Sequence, residues 1–172
     1  MTEAINFCVK CGQAVEHKQL YGRERPVCPH CGRIHFIDPK VAVAVVIEKD
    51  GQLLLIQRGA NPAQGQWAFP AGFVDGGEDP ARAAEREGLE ETNLIVQATQ
   101  VLDVFFRATP DEGADILIVY HADAVGGELR PGDDAADARY FGPDALPELA
   151  FPSTHAIITH WKSGRWKVDS GK

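Results

Sequence analysis

The chain lacks a long apolar run, an excess of basic residues and any internal repeat. No apolar stretch among its 172 residues is long enough to span a membrane. The first residues show no basic leader followed by an apolar core, so we expect a cytoplasmic protein without a secretory signal. The formal net charge of −8 argues against sequence-independent binding to nucleic acid, which requires a basic surface. The length predicts one globular domain with a small appendage.

Cysteine is absent after position 31, and the four cysteines before it form two pairs. Each pair has the spacing Cys-x2-Cys and precedes a glycine, and sixteen residues separate the pairs, which comprise Cys8, Cys11, Cys28 and Cys31. This spacing is typical of a structural Zn²⁺ site with four thiolate ligands and no open position. Two disulfides are the alternative, and further candidate zinc ligands are His17, His30 and His35. Residues 1–38 are too few to fold by burial alone, so zinc would supply folding free energy.

A glycine-rich loop followed by an acidic helix is predicted in the middle of the chain. Asp79 is a suitable N-cap, and Pro80 suits the first helical position. Glu87, Glu90 and Glu91 then stand at i, i+3 and i+4, so their carboxylates share one helix face. Like charges at this spacing destabilise a helix by about a few tenths of a kcal/mol per pair. Bound Mg²⁺ or Mn²⁺ would compensate, since hard cations prefer carboxylate oxygens, and a solvated acidic surface is the alternative.

The spacing of this stretch resembles a known pattern. Its fixed positions are Gly72, Glu78, Arg86, Glu87, Glu90, Glu91 and Leu94. They are similar to the box of the Nudix family, and the resemblance extends over residues 41–161. It implies an α/β fold, an α/β/α sandwich with a mixed sheet, preceded here by the small zinc ribbon. Two positions depart from the family pattern. Gly88 predicts a close approach of the helix to the sheet, and Asn93 predicts a left-handed residue at the helix end.

The same resemblance implies that the acidic helix binds the catalytic cation. Glu87 and Glu91 would be the principal ligands, Glu90 would assist, and the Ala71 carbonyl would add one oxygen. The residues that would support the loop and orient the carboxylates are Gly72, Glu78 and Arg86.

The implied reaction is hydrolysis of the pyrophosphate bond in a nucleoside diphosphate linked to another group. The cation would neutralise charge on the phosphoryl oxygens and lower the pKa of a bound water, which attacks phosphorus. Asp134 is the candidate general base, and Glu112 and Asp137 are the alternatives.

Apolar patterns predict further strands and a second helix around the box. Strands are expected at residues 41–48, 53–57, 100–108, 116–124 and 138–141, with a hairpin turn at Asp50-Gly51. Pro143 predicts a short helical turn, and Ser153 is the expected cap of a helix through Lys162. Asp38-Pro39 predicts a hinge between two domains, residues 1–38 and 39–172.

Substrate choice depends on loops outside the box. The zinc ribbon is similar to that of the NADH pyrophosphatase branch, but Leu102–Arg107 stands where that branch carries its Ser-Gln-Pro-Trp-Pro-Phe-Pro-x-Ser segment. Pro110 and the ribbon-bearing pattern resemble hydrolases of ADP-ribose and FAD. We therefore expect ADP-ribose or FAD, with NADH or a (d)NTP as alternatives. The candidate substrate contacts are Arg58 for phosphate and Phe36, Phe73, Phe105 and Phe106 for stacking.

Two further expectations concern partners. Proteins that resemble this one are often homodimers, and the zinc ribbon could contribute to such an interface. The alternative function from another class is a non-catalytic regulator that senses a nucleotide or binds nucleic acid through its zinc ribbon. Loss of a box glutamate would favour that alternative, and none is lost here.

Overall fold

The computed structural model describes residues 5–106 and 114–166. By their contacts these residues form two compact units, one of residues 5–39 and one of residues 40–106 with 114–166. In the described part of the chain, no helix is long and apolar enough to cross a membrane.

The first unit is a hairpin between two similar turns. Strands β1 (Glu16–Leu20) and β2 (Arg23–Val27) pair antiparallel. In each turn the glycine after the second cysteine donates its N–H to the carbonyl of the first cysteine, at 2.8 Å for Gly12 and 2.9 Å for Gly32. Both glycines have a left-handed φ, 73° and 72°. The two Cys-x2-Cys-Gly segments therefore adopt the same compact turn, which directs their sulfur atoms to one place.

The second unit contains seven strands and two helices within its described residues. In chain order they are β3 (Val41–Lys49), β4 (Gln52–Arg58), β5 (Trp67–Ala68), β6 (Ala71–Phe73), α1 (Pro80–Thr92), β7 (Leu94–Phe106), β8 (Ile116–Gly127), β9 (Ala135–Phe141) and α2 (Pro152–Lys162). The main strand order is β5-β4-β3-β8-β7, with β6 paired to β3 and β9 paired to β4. Strands β3 and β8 run parallel and the other pairs run antiparallel, so the sheet is mixed, as expected.

Strand β3 lies at the centre of two hydrophobic layers. Val43, Val45 and Ile47 pack with Ala83 and Ala84 of α1. The intervening residues Ala44 and Val46 pack with Ile157 and Ile158 of α2 on the other side. Because successive side chains of a strand point to opposite faces, this continuous apolar run is buried on both sides. The α/β/α sandwich is therefore confirmed.

Several strands are longer than predicted. Strand β7 begins at Leu94 rather than at residue 100, because buried Leu94 and Val96 alternate with exposed Ile95 directly after the helix. Strand β8 continues three residues further, to Gly127, and β9 begins at Ala135. The hairpin turn at Asp50-Gly51 is confirmed, with φ of 51° and 70°, because both residues adopt the left-handed conformation that a two-residue hairpin requires.

The predicted cap of the second helix was wrong. Helix α2 has Phe151 at its N-cap position and Pro152 at its first position, so Ser153 is not its cap. The fixed φ of proline suits the first helical position, which sets the start one residue before the predicted cap. Pro143 opens a single turn over residues 143–145, as predicted, with Ala145 donating its N–H to the Gly142 carbonyl at 3.2 Å.

Candidate active site

Helix α1 begins and ends as its sequence predicts. The Asp79 carboxylate accepts a hydrogen bond from the Ala81 N–H at 2.8 Å, with Pro80 at the first helical position. At the other end Asn93 has a left-handed φ of 57° and donates its N–H to the Leu89 carbonyl at 2.8 Å. A Cβ on Gly88 would lie 2.6 Å from Val96 Cγ2, so glycine there allows the helix to approach β7 closely. These contacts fix where the acidic face of the helix points.

Glu91 is the most deeply buried of the box glutamates. Only 9% of its surface is exposed, and its Oε2 accepts a hydrogen bond from the Ala71 N–H at 2.9 Å. Burial raises the pKa of Glu91 from 4.5 to about 7 against the effect of that hydrogen bond, and the negative charges of Glu87 and Asp134 also raise it. A buried carboxyl with this pKa gains from a nearby cation, which would favour its charged form.

Glu87 lies directly against strand β6. A Cβ placed on Gly72 would overlap the Glu87 carboxylate, so a residue with a side chain at position 72 would displace it. Burial raises the pKa of Glu87, although the adjacent Arg86 guanidinium opposes this. Gly72 therefore allows the Glu87 carboxylate and the backbone of β6 to occupy adjacent space.

Arg86 links the helix to the loop. Its Nε and Nη2 donate to the two oxygens of Glu78 at 2.9 and 3.0 Å, and Nη2 also donates to the Phe73 carbonyl at 3.0 Å. Its Nη1 lies 2.6 Å from Glu87 Oε1 and 3.0 Å from Glu90 Oε2. The hydrogen bonds from Arg86 lower the pKa of Glu78 to about 2, so this carboxylate stays charged. One guanidinium thus holds three carboxylates and one loop carbonyl in fixed positions.

A cavity of about 400 Å³ opens over these carboxylates. Eight of the residues singled out from the sequence line it, namely Arg58, Ala71, Gly72, Phe73, Glu87, Glu90, Glu91 and Asp134. The residues that sequence reasoning missed are Ile56, Gly59, Ala60, Asn61 and Asp133. Of these, Gly59, Asn61 and the following Pro62 are turn-forming residues directly after a buried strand, a signal that could have marked a loop at the strand end.

The four cysteines of the first unit also form one cluster. Their Sγ atoms all lie within 4.8 Å of one another, with 3.6 Å between Cys8 and Cys31 and 3.5 Å between Cys11 and Cys28. A tetrahedral Zn²⁺ with Zn–S bonds of about 2.3 Å places its sulfurs about 3.8 Å apart. A disulfide requires about 2.05 Å, so the disulfide alternative is wrong and the cysteines are free thiols suited to zinc.

The surroundings of the cluster favour the thiolate form of Cys8 and Cys28. They do not favour it at Cys11, where a hydrogen bond from the Gln13 backbone is outweighed by burial and by the other cysteine side chains, which raise the pKa of Cys11 to about 12. Burial opposes ionisation of Cys8, but hydrogen bonds from the Lys10 and Cys11 backbone and from His35 outweigh it and lower the pKa of Cys8 to about 6. The backbone N–H of Cys31 contributes most to lowering the pKa of Cys28. Among the described residues, the group that could hold a metal includes no histidine. His35 therefore supports a ligand instead of acting as one.

Comparison with protein-family models identifies both units. Residues 38–162 match the NUDIX domain, and residues 6–36 match the Nudix N-terminal zinc ribbon. The chain belongs to the Nudix hydrolase family. It is thus an enzyme of a family that cleaves pyrophosphate bonds in nucleotide derivatives and generally uses divalent cations, and its four-cysteine cluster suits zinc.

Known Nudix relatives share both the sequence and the fold. The chain is 43% identical over 134 residues to the ADP-ribose pyrophosphatase of Methanocaldococcus jannaschii, an alignment that covers 75% of this chain and 78% of that protein. It is 32% identical over 160 residues to the NAD-capped RNA hydrolase NudC of Chromobacterium violaceum, covering 90% of this chain but only 57% of NudC. A Nudix hydrolase from Nitrosomonas europaea superposes with a TM-score of 0.82 at 29% identity, covering 94% and 93% of the two chains.

Some residues predicted for this Nudix site lie elsewhere. Phe105 packs against the hydrophobic layer beneath α2 and stacks on His160 at 6.2 Å, so it does not reach the cavity. Phe36 lies in the first unit, where the Arg25 guanidinium is 4.6 Å from its ring centre. Asp137 pairs with Arg139 at 2.5 Å and does not line the cavity. Phe106 is exposed and does not line it either. Pro110 and Glu112 lie outside the described residues.

Arg58 is the one basic residue among the described residues that line the Nudix cavity. Its Nε donates to the Pro62 carbonyl at 2.7 Å, and its guanidinium lies 5.1 Å from the ring centre of Phe151. The charge of Arg58 lowers the pKa of Glu91, and both residues line the cavity. The cavity therefore combines acidic groups on the helix with a fixed cation at the end of β4.

Proposed function

We propose that this Nudix hydrolase cleaves the pyrophosphate bond of ADP-ribose or FAD in the presence of Mg²⁺ or Mn²⁺. The observation that carries the proposal is the cavity itself, in which box carboxylates lie across from Arg58. A metal-bound diphosphate needs anionic ligands for the metal and a cation for the remaining phosphate charge. A volume of about 400 Å³ lies in the range of small-molecule sites.

The metal ligands we propose are Glu87, Glu91 and Glu90, with the Ala71 carbonyl as an additional oxygen. Mg²⁺ or Mn²⁺, when bound, would polarise the phosphoryl oxygens and acidify a water. The raised pKa of Glu91, about 7, means that this carboxyl would release its proton when the cation binds. Arg86 keeps Glu87 and Glu90 oriented, since it already bridges both carboxylates.

The general base we propose is Asp134. Asp134 lines the cavity, and its negative charge raises the pKa of Glu91. A base there would accept a proton from water at the edge of the carboxylate cluster. Asp137 is paired with Arg139 instead, which leaves Asp134 as the better placed candidate.

For substrate binding we propose Arg58 and Phe73. The guanidinium of Arg58 suits a phosphate oxygen, and Phe73 lines the cavity with about half of its surface exposed, as a ring available for stacking would. The similarity to a protein named ADP-ribose pyrophosphatase, at 43% identity, supports an ADP-containing substrate. The similarity to NudC proteins keeps NADH and NAD-capped RNA as rivals, but this chain spans little more than half of their length.

We also propose that residues 1–38 form a structural zinc domain and residues 39–172 the hydrolase domain. The separate matches of residues 6–36 and 38–162 support this division. Free thiols at zinc-binding distances support a reducing compartment such as the cytoplasm.

A substrate panel tests the proposal. Purified protein is incubated with ADP-ribose, FAD, NADH, NAD-capped RNA and dNTPs, each with Mg²⁺ and with Mn²⁺, and the products are separated by chromatography. We expect AMP with ribose 5-phosphate from ADP-ribose, or AMP with FMN from FAD, at kcat/KM at least tenfold above the other substrates. A preference for NADH, capped RNA or a dNTP would overturn the substrate assignment. Tight ADP-ribose binding without turnover of any substrate would instead favour a nucleotide sensor.

A further inference from the structure

The segment after β8 binds the end of helix α1. Arg130 and Gly132 donate their N–H groups to the carbonyls of Thr92 and Glu91, at 3.0 and 3.1 Å. The Asn93 side chain donates to the Glu128 carbonyl at 2.9 Å. The last carbonyls of a helix have no partner within it, so this segment provides the partners that water would otherwise supply. The position of the segment is therefore tied to the residues that carry the box carboxylates.

Gly132 makes the closest of these approaches. A Cβ on Gly132 would overlap the carbonyl oxygen of Glu90, so a residue with a side chain could not keep the same hydrogen bond to Glu91. Gly132 has no left-handed φ, so the backbone conformation itself would accept alanine. Position 132 therefore requires a residue without a Cβ.

Gly59, which also lines the cavity, contacts the same segment from the end of β4. Its N–H donates to the Asp134 carbonyl at 2.8 Å, and a Cβ on Gly59 would lie 2.5 Å from that oxygen. Gly59 follows β4, which is far in sequence from the segment that it contacts. Between the two glycine contacts the chain makes a tight turn, with Asp133 in a left-handed conformation at a φ of 47° and the Ala135 N–H bound to the Gly132 carbonyl at 2.9 Å.

We propose that Gly59 and Gly132 are positioning residues that fix the carboxylate of Asp134 in the active-site cavity. Because glycine has no side chain, the backbone at Gly132 can pack against helix α1. The backbone at Gly59 can pack against that of Asp134 for the same reason. A methyl group at either position would push the turn outward and move Asp134 away from Glu91. This inference rests on the proposed function, in which Asp134 is the general base.

Three matched variants test the steric part of the proposal. Gly132→Ala and Gly59→Ala add a methyl group at the two contacts, and Gly142→Ala adds one where the nearest atom, Gln52 Nε2, is 4.0 Å away. With the preferred substrate, we expect kcat to fall by about 10- to 100-fold in the first two, because a displacement of about 1 Å can have this effect. KM and the Mg²⁺ dependence should change less than twofold, and Gly142→Ala should match wild type. Equal kcat in Gly132→Ala and wild type would overturn the proposal.

A double-variant cycle tests whether the glycines act through Asp134. In an Asp134→Ala background, Gly132→Ala should lower the remaining kcat by less than twofold, because the group that it positions is already gone. The full 10- to 100-fold loss in that background would show that Gly132 acts by another route. The same cycle with Gly59→Ala gives an independent result from a different loop.

Amide hydrogen exchange separates this inference from the proposed function, because it needs no substrate. In the wild-type protein the N–H groups of Gly59, Arg130 and Gly132 should exchange slowly, since each is bound to a carbonyl. Gly132→Ala should accelerate exchange at Arg130 and Gly59 by about tenfold or more, whereas Gly142→Ala should leave it unchanged. Unchanged exchange in Gly132→Ala would overturn the positioning role. Altered exchange in a protein without any turnover would instead refute the proposed function alone.

Discussion

Arg86 donates two parallel hydrogen bonds to Glu78, from Nε to Oε1 at 2.9 Å and from Nη2 to Oε2 at 3.0 Å. The two residues are separated by the loop end and two turns of helix, so the pair joins the loop to the helix that carries the metal-ligand candidates. Only a planar guanidinium has the fork geometry for this pair and still has a nitrogen for Glu87 and Glu90. The Arg86 guanidinium is thus held by Glu78, and its Nη1 contacts the carboxylates of Glu87 and Glu90.

Arg86→Lys should therefore impair the enzyme although charge is conserved. An ammonium group cannot bridge Glu78 in two bonds and also reach Phe73, Glu87 and Glu90. We expect kcat/KM to fall at least tenfold and the Mg²⁺ concentration for half-maximal rate to rise, as measured by steady-state kinetics over a metal titration. The control is Arg82→Lys on the same helix, whose single partner is Glu85 and whose side chain is 76% exposed. Similar kinetics in both variants would contradict the bridging role.

Glu91→Gln should abolish turnover without unfolding the protein. Glutamine keeps an oxygen to accept the Ala71 N–H but is a poor ligand for a hard cation. We expect kcat to fall by at least 10³-fold, or about 4 kcal/mol of barrier, while the circular dichroism spectrum stays the same. Retention of one tenth of the wild-type rate would refute the ligand assignment.

The pKa of Glu91 also predicts how stability depends on pH in buffer without Mg²⁺ or Mn²⁺. The folded protein holds this proton up to about pH 7, whereas an unfolded glutamate loses it near 4.5. Between these values the folded state binds more protons, so the free energy of unfolding falls as pH rises, by on the order of 3 kcal/mol in total. Below pH 4.5 both states are protonated, and the stabilisation is fully present.

The measurement is urea denaturation of wild type and Glu91→Gln from pH 4.5 to 8. Since glutamine does not titrate, the variant should gain stability relative to wild type up to about pH 7 and then hold a constant difference. Added Mn²⁺ should reduce the difference by stabilising the wild-type carboxylate. A difference that is independent of pH would contradict the buried, protonated state of Glu91.

Gly88→Ala should destabilise the hydrolase unit even though alanine favours a helix by about 1 kcal/mol. Its Cβ would meet Val96 Cγ2 at 2.6 Å in the buried layer between α1 and β7. Overpacking of this kind costs about 1–3 kcal/mol, so we expect a net loss of roughly 1 kcal/mol in urea denaturation. The double variant Gly88→Ala/Val96→Ala removes the clash and should be more stable than Val96→Ala alone. A double variant less stable than Val96→Ala would rule out this steric cause.

Cys28→Ser should release zinc from the first unit. Serine is a weak zinc ligand because its hydroxyl does not ionise at neutral pH, and zinc binding contributes about 10–16 kcal/mol in peptides of this kind. Elemental analysis should show one zinc per chain in wild type and close to none in the variant, and residues 5–39 should become sensitive to protease. His30→Ala, which changes an exposed residue outside the cysteine cluster, should keep its zinc. Loss of zinc in His30→Ala would restore histidine as a ligand.

The parts of the structure that follow from local chemistry could be predicted from sequence. The caps at Asp79 and Asn93 and the turn at Asp50-Gly51 each depend on residues a few positions apart. The shared face of Glu87, Glu90 and Glu91 follows from the helical period alone. Each of these features could therefore be read without knowing what surrounds it.

The parts that depend on distant segments could not be derived in the same way. Gly59 and Asp133 line the cavity because β4 and the segment before β9 lie side by side. The aromatic side chain of Phe105 predicts stacking on the substrate, but in the structure it packs in the hydrophobic layer beneath α2. Which face a residue of an irregular strand takes is set by its register, and β7 shifts register three times along β8.

The parallel pairing of β3 with β8 affects how the protein is synthesised. Val41 pairs with Ile116 and Ile47 with Ala122, so the central strand must wait for its partner until most of the chain has been translated. Until then one edge of the apolar strand β3 has no partner strand. Such an edge can pair with other chains. We therefore expect the hydrolase unit to be most prone to association before β8 has been synthesised.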